Sequence, residues 1–340
     1  MNGARIGGEF KIIRKVGEGT FSFVYLAADA AGKQVAIKQV TRTSAPSRIA
    51  NELRFLIDLR GEKGVIELIS AVREENDVFL VFPYIENTLF KDFLEKRTVH
   101  DIKKYMYELL VGLKNIHKAG IIHRDVKPSN FLFDPKDSTG VLIDFGLSQR
   151  IEIKEKELKE KKTKFFFSAQ NVYRTERVNI PRPPGYIIKD TRPAICASRS
   201  GTRGFRAPEV LFRVETQSTK IDIWSAGVIL LTLLTRKYPF FVSKDDTNAI
   251  VELGCIFGDK EMRSAAKYYK RTWKSNIEEC MCPKIPFKTI VSLCSMREES
   301  VPDSLYDLLE KMLCLKSSER ISAEKALEHR FFDDIVKYVE

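Results

Sequence analysis

The sequence predicts an α+β protein of two lobes: a small β-rich N-terminal lobe with one key helix, and a larger, mostly α-helical C-terminal lobe. Three observations carry this expectation. The first third holds short runs rich in β-branched and aromatic residues, FKIIRKVGEGTFSFVYLAAD, QVAIKQV and VFLVFPYI, punctuated by glycine and polar turns, and these read as strands. Between the last two, RIANELRFLIDL repeats apolar residues at helical spacing (Ile49, Leu53, Leu56, Ile57), which predicts one helix among the strands. From Thr98 onward the pattern is helical, as in VHDIKKYMYELLVGLKNIHKAG, and it is helical again after Pro208, so the junction falls near Pro83–Asn87. The run WSAGVILLTLLT from Trp224 is too short to span a bilayer and is soon followed by Arg236 and Lys237, so it reads as a buried helix. No internal repeat is visible.

Composition sets the outer bounds. Hydrophobic residues at 44% and charged residues at 30% of 340 positions suit a globular protein with a substantial core. The 57 basic against 46 acidic residues leave +11, so nucleotides, nucleic acids and acidic protein segments are suitable partners. A basic surface is common in intracellular proteins, so direct nucleic-acid binding is not required. MNGARIGGEFK lacks the apolar region of a signal peptide, and six scattered cysteines read as reduced thiols, so the chain is expected to be intracellular and soluble, with no membrane partner. Cys280-x-Cys282 is the one tight pair, and with no second pair or histidine at ligand spacing it reads as plain thiols before zinc. The run EIKEKELKEKKTK at 152–164 reads as a solvated helix with side-chain ion pairs, and a nuclear import signal is compatible with the same residues.

The chemistry lies in four short stretches. GEGTFSFV at 17–24 lies between two strand-like runs; its glycines let backbone amides approach phosphate oxygens, although a simple glycine hairpin has the same look. Lys38 ends VAIK, and Glu52 lies on the helix that follows; an ion pair between them would hold the ammonium against phosphates. In HRDVKPSN, Asp125 can orient a hydroxyl and accept its proton, Lys127 can neutralise charge on a transferring phosphoryl group, and Asn130 can offer an amide oxygen to a cation. Asp144, in IDFG, supplies the carboxylate that a hard cation requires.

Together, GxGxxSxV, VAIK, Glu52, HRDVKPSN, DFG and RAPE resemble the signature set of eukaryotic protein kinases over roughly residues 9–333, and Lys127 with GTRGFRAPE resembles the serine/threonine branch. The one departure, Ser22 where many kinases carry a third glycine, keeps a small residue there. Within that branch, VFPYIENTLFKDFL, HRDVKPSNFLFD, GFRAPEVL, IDIWSAGVI and YPFFVSKDD, with DKEMRSAAKYYKRTW and VPDSLYDLLEKML, resemble the cell-division-cycle-seven family, the catalytic subunits of Dbf-four-dependent kinase (DDK).

The resemblance implies a bilobal protein-kinase fold. The N-lobe would run over about 9–83, the hinge over 83–87 and the C-lobe over 88–333. It also implies an insert over about 150–195, with tails at 1–8 and 334–340. It implies ATP and magnesium (Mg2+) as cofactors. ATP would be held by Val16, Gly17, Glu18, Gly19, Thr20, Phe21, Ser22, Phe23 and Val24, by Ala36 and Lys38, and by Tyr84 and Leu132; the metal would be held by Asn130 and Asp144. Asp125, Lys127, Lys38 and Glu52 are the implied catalytic set, with Arg199, Thr202 and Arg203 facing the substrate. Asp222 would anchor the catalytic loop, and Arg320 would pair with Glu209.

Implied partners are protein substrates with acidic Ser/Thr sites, the replicative helicase among them, and an activating Dbf-four-like subunit. The implied location is nuclear. The stretch from Leu147 to Arg206 would hold the charged helix at 152–164, the aromatic patch Phe165–Phe167 and a Pro-rich coil at Pro181–Pro184 before the substrate-facing segment. Another serine/threonine kinase, of casein-kinase or cyclin-dependent type, is the alternative; a pseudokinase scaffold is disfavoured because every motif residue is present.

Overall fold

Alternating strands of the N-terminal segment pair into one six-stranded antiparallel sheet in the order β1-β2-β3-β4-β6-β5, formed by β1 (Arg5–Ile6), β2 (Phe10–Gly19), β3 (Ser22–Ala28), β4 (Gln34–Val40), β5 (Ser70–Glu74) and β6 (Asp77–Pro83). The short β1 lies within the segment read as an N-terminal tail. The computed structural model describes residues 4–19, 22–40, 46–74, 77–151, 201–294 and 300–336. Thr20, Phe21, Cys196, Arg199 and the expected helix, aromatic patch and coil of the insert lie outside the described residues.

The register fixes which side chains share a face, because neighbours across antiparallel strands point the same way. Tyr25, Ile37 and Val81 lie opposite one another and join Phe10, Ile12 and Phe79 in a small core on one face. Val24, Lys38 and Leu80 lie opposite one another on the other face, where the one helix of this lobe, α1 (Pro46–Asp58), turns Glu52, Phe55 and Leu56 inward.

The second lobe follows β6. Its elements are α2 (Phe90–Lys96), α3 (Val99–Lys118), β7 (Ile121–Ile122), β8 (Phe131–Asp134), β9 (Thr139–Leu142) and β10 (Gln149–Arg150), then α4 (Pro208–Leu211), α5 (Lys220–Thr235), α6 (Asp246–Tyr268), α7 (Phe287–Cys294), α8 (Asp303–Met312), α9 (Ala323–Leu327) and α10 (Asp333–Val336). Thr98 starts α3 with a reciprocal cap: its hydroxyl accepts from the Asp101 amide, and Asp101 accepts from the Thr98 amide.

Helix α5 is apolar all round and is the centre of the lobe, as the run from Trp224 led one to expect; every residue from Ile221 to Thr235 is buried. Gly227 lets α8 and the turn after it approach, since a Cβ there would stand 2.8 Å from Leu313 Cδ2. Among the described residues, no helix is long and apolar enough to cross a membrane. Cys280 points inward, with its Sγ 3.7 Å from Cys255 Sγ, while Cys282 is exposed. Among the described residues, no three His, Cys, Asp or Glu side chains group as metal ligands.

Candidate active site

Two loops and one strand meet beneath the inner face of the sheet. Lys38 is placed there by β4, opposite Val24, which in turn lies opposite Gly17 of the glycine hairpin. Its Nζ donates to Glu52 Oε1 at 2.6 Å and to Asp144 Oδ1 at 2.9 Å. Burial alone would lower the Lys38 pKa, but the Glu52 and Asp144 carboxylates hold it above its ordinary value, so the ammonium stays charged. Burial would likewise raise Asp144, and the Lys38 ammonium holds it below the usual carboxylate range.

A further tie was not read from the sequence. Arg48 Nε donates to the Gly146 carbonyl at 3.0 Å, fastening α1 to the turn behind Asp144. Arg48 precedes Glu52 by one helical turn on the same face, and that spacing was the available signal.

Asp125 lies in the loop after β7. Its Oδ1 accepts from the Thr202 amide (2.9 Å) and hydroxyl (2.8 Å), and its Oδ2 accepts from Asn130 Nδ2 (3.0 Å) and Lys127 Nζ (2.8 Å). Lys127 also donates to the Thr202 hydroxyl at 2.9 Å. Thr202, read as substrate-facing, is therefore also the latch between Asp125 and Lys127. The nitrogen end of the Asn130 amide is spent on the Asp125 carbonyl and carboxylate, and no described contact uses its oxygen. Asn130 Oδ1 and the Asp144 carboxylate are hard oxygen donors, the chemistry that Mg2+ selects. Asp144 has φ 64 and ψ 78, a strained left-handed backbone for a non-glycine residue, and Arg124 has φ 70.

What holds Arg124 in its strained backbone is Asp222. Buried in α5, its Oδ2 accepts from the His123 amide and Oδ1 from the Arg124 amide, at 2.9 and 2.8 Å, and His117 Nε2 of α3 lies 2.9 Å from Oδ2. Burial would raise its pKa, yet the bond and charge of His117, with His123, hold it below the ordinary range. A carboxyl held low adds stability that is fully present above the unfolded value of about 4 and is lost as pH falls through the lowered native value. Asp222→Asn should therefore lower the urea midpoint at neutral pH, with the gap from wild type closing as the pH is taken below about 4. A gap independent of pH would contradict this.

The remaining sequence candidates fall around this centre. Val16, Glu18 and Gly19 lie on β2, Ser22 and Phe23 on β3 opposite Gly19 and Glu18, and Ala36 on β4 opposite Phe82 of β6. Tyr84 directly follows β6, and Leu132 lies on β8.

The arginines differ from one another. Arg206 pairs with Asp246 and donates to the Gly201 carbonyl, whereas Arg203 is exposed and donates from one nitrogen to the Lys244 carbonyl. Gly201 has φ +102, and a Cβ there would stand 2.4 Å from the Arg124 carbonyl oxygen, so only glycine lets this segment lie against the Asp125 loop. Farther out, Arg320 grips Glu209 with two parallel bonds of 2.7 and 2.9 Å.

Comparison with known proteins gives a consistent picture. The protein kinase domain family model matches residues 10–179 and 187–332. A protein of Encephalitozoon cuniculi, "Probable cell division control protein 7 homolog 2", is 48% identical over 95% of this chain and 92% of its own length. The Schizosaccharomyces pombe "Cell cycle serine/threonine-protein kinase hsk1" is 39% identical over 95% of this chain and 72% of its own. The human "Cell division cycle 7-related protein kinase" is 26% identical over 96% and 90%.

Proposed function

This chain belongs to the protein kinase family, among the cell division cycle 7 serine/threonine kinases, and from that premise we propose a function of the DDK type. In this reading it phosphorylates Ser and Thr in acidic protein segments, among them the replicative helicase whose phosphorylation starts DNA replication, in the nucleus and under the control of a separate Dbf-four-like activating subunit. The kinase domain would span 9–333 with an insert over about 150–195.

The observation that carries the reading is the environment of Asp125. A carboxylate held from two sides by Thr202, Asn130 and Lys127 has a fixed orientation, as a group that aligns a hydroxyl and takes its proton must. Lys127 lies beside it to meet the charge of the phosphoryl group, and Lys38, charged between Glu52 and Asp144, is poised for the α- and β-phosphates of ATP. Asn130 Oδ1 and Asp144 would hold Mg2+, which when bound neutralises charge on phosphate oxygens. For substrate choice, Arg203 is exposed next to Thr202 and has guanidinium N–H groups beyond the one given to Lys244, suited to a carboxylate near the acceptor.

Activation would act through α1. Its inward position rests on the Lys38–Glu52 pair and the Arg48–Gly146 bond, and a partner that binds this arrangement preferentially raises its population. Turnover of the chain purified with its co-purifying subunit should exceed that of the chain alone by at least about tenfold, the effect of roughly 1.4 kcal/mol of preference for the inward state. Equal rates would overturn the activator, and a peptide library without an advantage for acidic neighbours would overturn the substrate class.

A further inference from the structure

The hairpin that joins β2 to β3 divides its side chains between the two faces of the sheet. Gly17 pairs with Val24, Gly19 pairs with Ser22, and Val24 pairs in turn with Lys38 of β4. Residues opposite one another share a face, and so do residues two apart on one strand. Gly17, Gly19, Ser22 and Val24 therefore belong to the inner face, where Lys38 meets Glu52 and Asp144. A Cβ on Gly19 would stand 3.4 Å from Ser22 Oγ, and one on Gly17 would stand 3.4 Å from Val24 Cβ, so each pair points the same way. Glu18 and Phe23 pair on the outer face, where Lys15 covers the Phe23 ring at 4.3 Å and bonds to Glu18. Over residues 17–19 and 22–24, Ser22 is thus the one polar side chain on the inner face.

Two features point to what that side chain meets. The first is that its hydroxyl is unspent. Ser22 is half-buried, its cross-strand neighbours Gly19 and Val40 have no side-chain acceptor, and among the described residues Ser22 Oγ makes no hydrogen bond. Nor does the strand favour serine, since β-branched side chains such as those of Val24 and Val40 suit a pleated surface better. The second is its place in a ladder. On the inner face Ala36 lies opposite Leu26, Lys38 opposite Val24, and Val40 opposite Ser22. In the kinase reading, the rung at Ala36 belongs to the base of ATP and the rung at Lys38 to its α- and β-phosphates. The rung at Ser22 is the next in the same direction, about 6–7 Å of strand farther on, and the group that follows in the nucleotide is the terminal phosphate.

We infer that the Ser22 hydroxyl donates a hydrogen bond to the terminal phosphate of ATP and so distinguishes a nucleoside triphosphate from the diphosphate. A bond from a hydroxyl to an ionised phosphate oxygen is charge-assisted and stronger than one between neutral groups. A glycine at this position would offer no side-chain donor, so the one departure from the glycine pattern adds a contact. The bare inner face at Gly17 and Gly19 leaves the space beside that hydroxyl open. When the phosphoryl group passes to the acceptor hydroxyl, the bond is lost with it, and ADP is held by one contact fewer. The inference rests on the kinase reading of Lys38 and the Asp125 loop but not on the acidic preference or the activator.

The test is calorimetric titration of the full chain, with whatever subunit co-purifies, in the presence of Mg2+. The ligands are β,γ-imido-ATP, which is not hydrolysed, ADP and adenosine. Ser22→Ala should weaken binding of the imido analogue by about tenfold or more, the loss of one hydrogen bond to a charged group, and leave ADP and adenosine as in wild type. Ser22→Thr keeps the hydroxyl on a side chain that suits a strand, and it should bind the analogue like wild type. Equal weakening of all three ligands by Ser22→Ala would assign the residue to the shape of the hairpin and overturn the proposal. Wild-type affinity of Ser22→Ala for the imido analogue would overturn it as well. In both cases the kinase reading stands, because wild type still binds the nucleotide. If wild type bound none of the three ligands, the kinase reading would fall and the inference with it.

Discussion

Asparagine in place of Asp125 is expected to lower kcat by about 10³-fold, the middle of the range for removing a positioned general base, while nucleotide affinity changes little. The carboxylate accepts at both oxygens from Thr202, Asn130 and Lys127. An amide keeps one acceptor and turns an NH2 toward donors at the other side, so the proton acceptor and the alignment of the loop are lost together. The groups poised for the phosphates, Lys38 with Glu52 and Asp144, do not touch Asp125 and keep their bonds. The measurement is transfer of labelled γ-phosphate at saturating Mg·ATP beside nucleotide binding on the same preparation. Turnover like that of wild type would remove Asp125 from the chemistry; a parallel loss of binding would mean that the loop holds the nucleotide rather than the hydroxyl.

The second large effect concerns stability. Arg320→Ala should destabilise the protein by about 3–5 kcal/mol, the cost of leaving one member of a buried ion pair alone. The side chains of Arg320 and Glu209 are 0% and 2% exposed, and Arg320 also donates to the carbonyls of Cys314 and Lys220 at 2.9 and 2.7 Å. Removing it leaves the Glu209 carboxylate, among the described residues, with the Tyr269 hydroxyl at 3.2 Å to meet it. Replacing both partners with apolar residues, Glu209→Leu with Arg320→Met, should cost much less, because no buried charge is then left uncompensated. Urea unfolding of the two variants separates the cases. If the double variant fell as far as the single one, the contribution would lie in packing and carbonyl capping rather than in the charges.

How much of this was legible depends on the range of the interaction. Strand alternation and the helix at Ile49–Ile57 are local patterns, and they appear as β2, β3, β4, β6 and α1, whereas β5 (Ser70–Glu74) was not read as a strand. The Lys38–Glu52 contact followed from a strand-then-helix order, and the pairing of Glu209 with Arg320 from family resemblance rather than from any local signal. The hydrogen bonds of Thr202 to Asp125, the anchoring of Gly146 by Arg48 and the capture of Arg206 by Asp246 depend on how distant segments are brought together.

The all-round apolar character of α5 has a consequence for the newly made chain. Unlike an amphipathic helix, it has no face that water tolerates, so until its neighbours exist it cannot be left in the open without risk. Its neighbours arrive late. Leu308 and Leu309 of α8, Leu313 and the Arg320 that locks the helix start are encoded near the C-terminal end, and Arg320 follows its partner Glu209 by 111 residues. At synthesis rates of roughly 5–20 residues per second, that interval lasts roughly 5–20 seconds. During it, Ile221–Thr235 is an aggregation-prone segment shielded only by α3 and other parts of the chain already made, which makes the emerging polypeptide a natural client of holding chaperones.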